Sequence, residues 1–169
     1  TICIIPGFLE GRLTAYRMRR ESRRRGYHIV RNQADADIVI AHSGGLFFTY
    51  PHPEKTILLI DPLTNVDSIA KDVLNHIWYD LKTLVPTAPK YYFAKTVCNI
   101  LYVWNIPRWV RMAKRAPKAR EYTAMHRRSI ITSSNDQSYT SEADVPNAIQ
   151  IDADHDDCWR NPGRYLDLI

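Results

Sequence analysis

Asp37-Ile38-Val39-Ile40-Ala41-His42-Ser43-Gly44-Gly45 is the stretch on which the fold turns. Its apolar run is too short for a helix and is rich in β-branched residues, so it reads as a buried strand. It ends in Ser-Gly-Gly, where small residues let the chain turn sharply. Working outward, Ile2-Cys3-Ile4-Ile5 is a similar run closed by Pro6-Gly7, and Thr56-Ile57-Leu58-Leu59-Ile60 is another, closed by Asp61-Pro62. Weaker strand signals lie at 27–30, 129–133 and 148–152.

Helical patterns separate these runs. Residues 12–25 read as a helix with Leu13, Tyr16 and Arg20 on one face and Gly26 at its stop. A short helix is expected after Ser43, ending near Tyr50 because Pro51 and Pro53 follow. Residues 65–128 are rich in aromatics. There Ile69, Val73, Ile77, Leu81 and Leu84 recur at helical spacing, and further helices are expected at 91–104, 109–114 and 118–128. A last helix is expected over 160–169. Strands alternating with helices specify an α/β fold: a mostly parallel sheet of about six strands with helices on its faces. The 32–36 link is too short for the usual helical crossover, which takes about a dozen residues or more. Residues 27–30 are therefore expected at the sheet edge.

A chain of 169 residues, 45% hydrophobic, suffices for a single domain with a real core. No stretch reaches the roughly 18 apolar residues of a membrane-spanning helix, and a cytoplasmic location is expected. Cys3, Cys98 and Cys158 are scattered, which argues against a disulfide framework or a zinc site. The net charge is +5, and Arg17, Arg19, Arg20, Arg23, Arg24 and Arg25 crowd one helix. Such a run is read first as a solvated helix face, with nucleic-acid binding as a minor alternative.

In parallel sheets, functional groups gather past the carboxyl ends of strands. Ser43 stands there, in a small-x-Ser-x-Gly turn that holds a hydroxyl exposed on a strained backbone. A serine needs a base, and that base needs a carboxylate to orient it. Asp136 follows the penultimate strand and His155 the last, so Ser43, Asp136 and His155 are the candidate catalytic residues. Asp61, also at a strand end, is the alternative acid. His42 is expected to point away from the Ser43 hydroxyl. The acids around His155 begin like a calcium loop, but Asp157 and Gly163 occupy the positions where glycine and glutamate are needed. No metal or cofactor is expected.

The order Ser43, Asp136, His155, with Pro6-Gly7-Phe8 after the first strand, resembles the α/β-hydrolase superfamily. The likeness is greatest to compact serine hydrolases of the retinoblastoma-binding-protein 9 and YdeN type. Ala41 stands where glycine is usual. The resemblance implies a minimal α/β-hydrolase fold and an oxyanion hole made by the Phe8 and Gly44 amides. Residues 65–128 are an insertion long for so small a member, expected to form a helical cap. It implies hydrolysis of a carboxylic ester, thioester or amide through an acyl-enzyme, with a small-molecule ester as partner. The aromatic and basic cap offers contact with a membrane surface. The rival is a hydrolase scaffold that binds without catalysing.

Overall fold

A computed structural model describes residues 1–7, 15–50, 54–65, 111, 114–126, 130–133, 140 and 144–169. Six strands form one parallel sheet: β1 (Ile2–Ile5), β2 (Ile29–Val30), β3 (Ile38–His42), β4 (Thr56–Ile60), β5 (Ile130–Ser133) and β6 (Ile149–Ile151). Their order is β2-β1-β3-β4-β5-β6, and every pairing is parallel. Among the described residues the α-helices are α1 (Tyr16–Arg24), α2 (Ala116–Met125), α3 (Asp157–Arg160) and α4 (Pro162–Leu166). No helix among the described residues is long and apolar enough to cross a membrane.

Strand alternation divides the core in two. Ile2, Ile4, Ile40, Leu58 and Ile60 face one way, onto Ala15 and Met18, with Trp159 and Tyr165 from the C-terminal helices. Cys3, Val39, Ala41, Ile57 and Leu59 face the other way, onto Leu46, Ala119 and Tyr122. Both faces are apolar, so these strands read as continuous hydrophobic runs rather than as alternating ones.

β2 lies at the edge, as its short link requires. Val30 is level with Cys3, and Ile38 is level with Ile2, so the chain steps back by only one residue between β2 and β3. It has to cross one strand laterally, a distance of about 10 Å. A 3-10 turn over Gln33–Asp35 covers that without a crossover helix, capped by the Asn32 side chain accepting from the Ala34 amide.

Two helical expectations change. The buried face of α1 is Ala15, Met18 and Ser22, while Tyr16 is exposed and Leu13 lies outside the described residues. Small residues let the helix approach the sheet, and the Ser22 hydroxyl is satisfied by donating to the Met18 carbonyl at 2.9 Å. At the C-terminus, the single helix expected over 160–169 is two short ones, the first beginning at Asp157. Asn161 leaves the helical region at φ −123° because Pro162 follows it.

Part of the arginine run fixes this packing. Arg25 donates to Asp167 at 2.7 Å and to the Gly163 carbonyl at 3.1 Å, and Arg17 reaches the Arg160 carbonyl at 3.4 Å. Within 65–128, α2 lies against the sheet. Residues 66–110, most of the expected cap, lie outside the described residues.

Candidate functional site

From β1 the chain moves outward to β2 on one side, then returns to the other side of β1 to lay down β3, β4, β5 and β6 in turn. The order therefore reverses between β1 and β3. A crevice opens at such a switch point, outside the carboxyl ends of the strands. Ile5 pairs with Ala41, so Pro6-Gly7 and His42-Ser43 leave the sheet together at that crevice.

Ser43 takes a left-handed backbone conformation, φ +48°. That is costly for a residue with a β-carbon and persists only where the surroundings enforce it. The chain turns directly into a 3-10 helix, Ser43–Phe48. Gly45 is what allows the turn to lie so close to β1. A β-carbon there would stand 2.5 Å from the Ile5 carbonyl oxygen and 3.0 Å from that of Pro6.

Asp61 repeats the pattern one strand over. His42 pairs with Ile60, so Ser43 and Asp61 emerge side by side from adjacent strands. Asp61 is also left-handed, φ +43°, and it is wholly buried. Its amide still donates to the Ile131 carbonyl at 2.8 Å, while the Leu63 amide reaches the Ser43 carbonyl at 3.3 Å. The two strained turns are thus tied to each other. Thr140 also holds this segment, its hydroxyl donating to the Pro62 carbonyl at 2.9 Å.

His155 arrives from the loop between β6 and α3. Its Nδ1 lies 3.5 Å from Asp61 Oδ2. This is ion-pair distance, longer than a good hydrogen bond. A buried carboxylate needs a compensating donor or cation, and the imidazole is placed to serve. Among the described residues, the Ser43 hydroxyl and the His155 ring are not hydrogen-bonded to each other.

His42 completes the cluster. It lies on the same side of β3 as Ile40, fully buried, with its Nε2 2.8 Å from the His155 carbonyl oxygen. Its ring is 4.4 Å from that of His155 and sits edge-on to Trp159 at 5.0 Å. Sequence reasoning turned His42 away from the serine but missed its contact with His155. Strand parity held the signal: residues 38, 40 and 42 share the face that α3 covers.

The structure thus brings Ser43, Asp61 and His155 to one end of the sheet. The Gly44 backbone lies in the same turn, buried. Phe8, expected to give the other oxyanion amide, and Asp136, the acid first expected, lie outside the described residues. His42, Asp61 and His155 each offer a potential metal-binding atom, all within 4.8 Å of one another. Compared with known proteins, the chain matches no family model, no curated protein and no solved structure.

Proposed function

We propose that this chain is a serine hydrolase acting on a carboxylic ester, with Ser43 as nucleophile, His155 as base and Asp61 as the carboxylate that orients it. The observation carrying this reading is the pair of left-handed turns at level strand ends, with His155 Nδ1 against Asp61 Oδ2. Asp61 is preferred to Asp136 because it already faces the imidazole and is buried, where its charge acts most strongly.

In this mechanism Asp61 holds the proton on Nδ1, leaving Nε2 free to accept one. Nε2 takes the Ser43 proton as Oγ attacks the ester carbonyl. The carbonyl oxygen becomes an oxyanion, held by the Gly44 amide and, on the resemblance, the Phe8 amide. The tetrahedral adduct collapses, and the alcohol leaves with the proton from Nε2. Water then attacks the acyl-enzyme by the same route and releases the acid. The lack of a hydrogen bond between Ser43 and His155 suits a resting enzyme, since catalytic hydrogen bonds often tighten only with substrate bound. The two described cysteines, Cys3 and Cys158, are buried and in no disulfide, which suits a reducing, cytoplasmic setting.

The test is covalent labelling by a fluorophosphonate together with hydrolysis of short p-nitrophenyl esters. Wild type labels, Ser43→Ala does not, and Asp61→Asn slows turnover by about 10⁴-fold while Asp136→Asn leaves it near normal. Full labelling of Ser43→Ala would sink the nucleophile assignment. A large loss in Asp136→Asn with none in Asp61→Asn would transfer the acid role.

A second reading rests on the donor set of His42, Asp61 and His155, whose two imidazoles and one carboxylate are the ligand types of hydrolytic zinc centres. It predicts that a chelator abolishes turnover and that zinc restores it. The serine mechanism predicts no effect of the chelator.

A further inference from the structure

His42 neighbours Ser43 in the chain, but its side chain lies on the sheet face that α3 covers. A carbonyl oxygen only accepts hydrogen bonds, so the 2.8 Å contact assigns the proton to His42 Nε2, which donates to the His155 main chain. His155 is therefore gripped by two adjacent strand ends. β4 holds its ring through Asp61, and β3 holds its backbone through His42. Trp159, fully buried, meets the His42 ring edge-on and limits its freedom to turn. An apolar side chain could fill this volume but could not supply the donor.

Resting on the serine-hydrolase reading, we infer that His42 is a positioning residue: its Nε2–H fixes the loop that carries His155, so that the imidazole stays against Asp61 and can meet the Ser43 hydroxyl when substrate binds. Without that anchor the loop shifts, the Nδ1 contact with Asp61 loosens, and the proton affinity of His155 changes with it.

The experiment compares wild type with His42→Phe, which keeps a ring but lacks the donor, and His42→Gln, whose amide nitrogen reaches about as far as Nε2. Two quantities are followed across about pH 5–9, the range in which histidines titrate. One is the rate at which a fluorophosphonate labels Ser43. The other is the titration of the His155 ring by NMR. Thermal unfolding identifies any variant that fails to fold. His42→Asn, too short to place a donor at Nε2, then replaces His42→Phe.

His42→Phe is expected to label about tenfold more slowly, the loss of one ordinary hydrogen bond, and to displace the midpoints of both pH curves. His42→Gln restores the midpoints and most of the rate. A wild-type rate and midpoint in His42→Phe would overturn the inference. So would an equal fall in both variants with unmoved midpoints, which would mean packing alone. If wild type does not label, the hydrolase reading fails and the NMR titration still decides: identical His155 midpoints in wild type and His42→Phe overturn the positioning role.

Discussion

On the face of the sheet that carries His42, the side chains of Trp159, Tyr165 and Met18 are wholly buried; α1 is tied to α4 through Arg25 and Asp167, and to α3 through Arg17 and the Arg160 carbonyl. On the opposite face the core is built from smaller residues, including Cys3, Ala36, Ala41 and Ala119. There a cavity of about 560 Å³ lies between the 3-10 helix after Ser43 and α2, lined by Leu46, Phe47, Ala119 and Tyr122 among others. The same strands supply both faces. Among the described residues, the difference comes from what covers them: aromatic side chains from the C-terminal helices on one side, the Ser43–Phe48 turn and α2 on the other. The dense face is also the one that holds His155 in place. The contacts that hold His155 and the tight packing are thus on the same side of the sheet.

The largest effect should fall on the dense face. Trp159→Ala should cost about 3–5 kcal/mol, because a fully buried indole leaves a hole that rigid neighbours cannot fill. Leu46→Ala, on the other face, should cost only about 2 kcal/mol, the low end for such changes. Leu46 already borders open space, so fewer contacts are lost. Denaturant unfolding of both variants measures the contrast, and equal losses would break it.

Gly45→Ala acts where the turn meets β1. Its new β-carbon would collide with two backbone oxygens, which cannot swing aside as a side chain tip could. Overpacking of this kind costs about 1–3 kcal/mol. The turn should also move away from β1, so labelling of Ser43 should fall more than stability does. Normal labelling in a stable Gly45→Ala protein would show that the turn has room the geometry denies it.

Tyr122→Phe is milder. Its hydroxyl donates to the Tyr50 carbonyl at 3.1 Å across the looser face. Losing it should lower stability by about 1 kcal/mol, the usual worth of such a bond. Denaturant unfolding measures it. No loss at all would mean that water in the neighbouring cavity replaces the bond.

Much of the frame was legible in the chain. The runs at β1, β3 and β4 are continuous and apolar, with Gly or Pro after them, as strands of a doubly covered parallel sheet are. The Ser43 turn followed from the end of β3, and the His155 loop from the weaker strand signal at 148–152. That Asp61 faces the His155 ring was not legible, and Asp136 lies outside the described residues. A left-handed backbone at a non-glycine residue has no signature in residue type, and that conformation is part of how Asp61 leaves the sheet beside Ser43. The α1 face was misread because Tyr16 outweighs Ala15 and Ser22 on any hydrophobic scale. Close approach to a sheet favours small residues instead. His42 was judged against its neighbour Ser43, although strand parity sends it toward α3 and into contact with a residue 113 positions on.

The smallest expected effect separates the faces by acid. His126 follows the end of α2 with its ring 4.5 Å from that of Tyr122. A helix C-terminus favours a cation, yet burial is the stronger influence and pushes the His126 pKa below its ordinary value of 6.5. Its Nε2 is buried and has no hydrogen-bond partner among the described residues, so a proton added there gains no acceptor. The unfolded chain therefore binds this proton more readily than the folded one. Stability from the neutral ring is fully present above the unfolded value, about 6.5. It declines as pH falls from there toward the lowered folded value, and below that the loss is complete and constant. Replacing the ring by one that cannot titrate, His126→Phe, should flatten the fall of the melting temperature between about pH 7 and pH 5. Met18→Ala, in the core of the opposite face, should lower the whole curve without changing its slope. Equal slopes in wild type and His126→Phe would place His126 in contact with water, and the looser face would then be open as far as the end of α2.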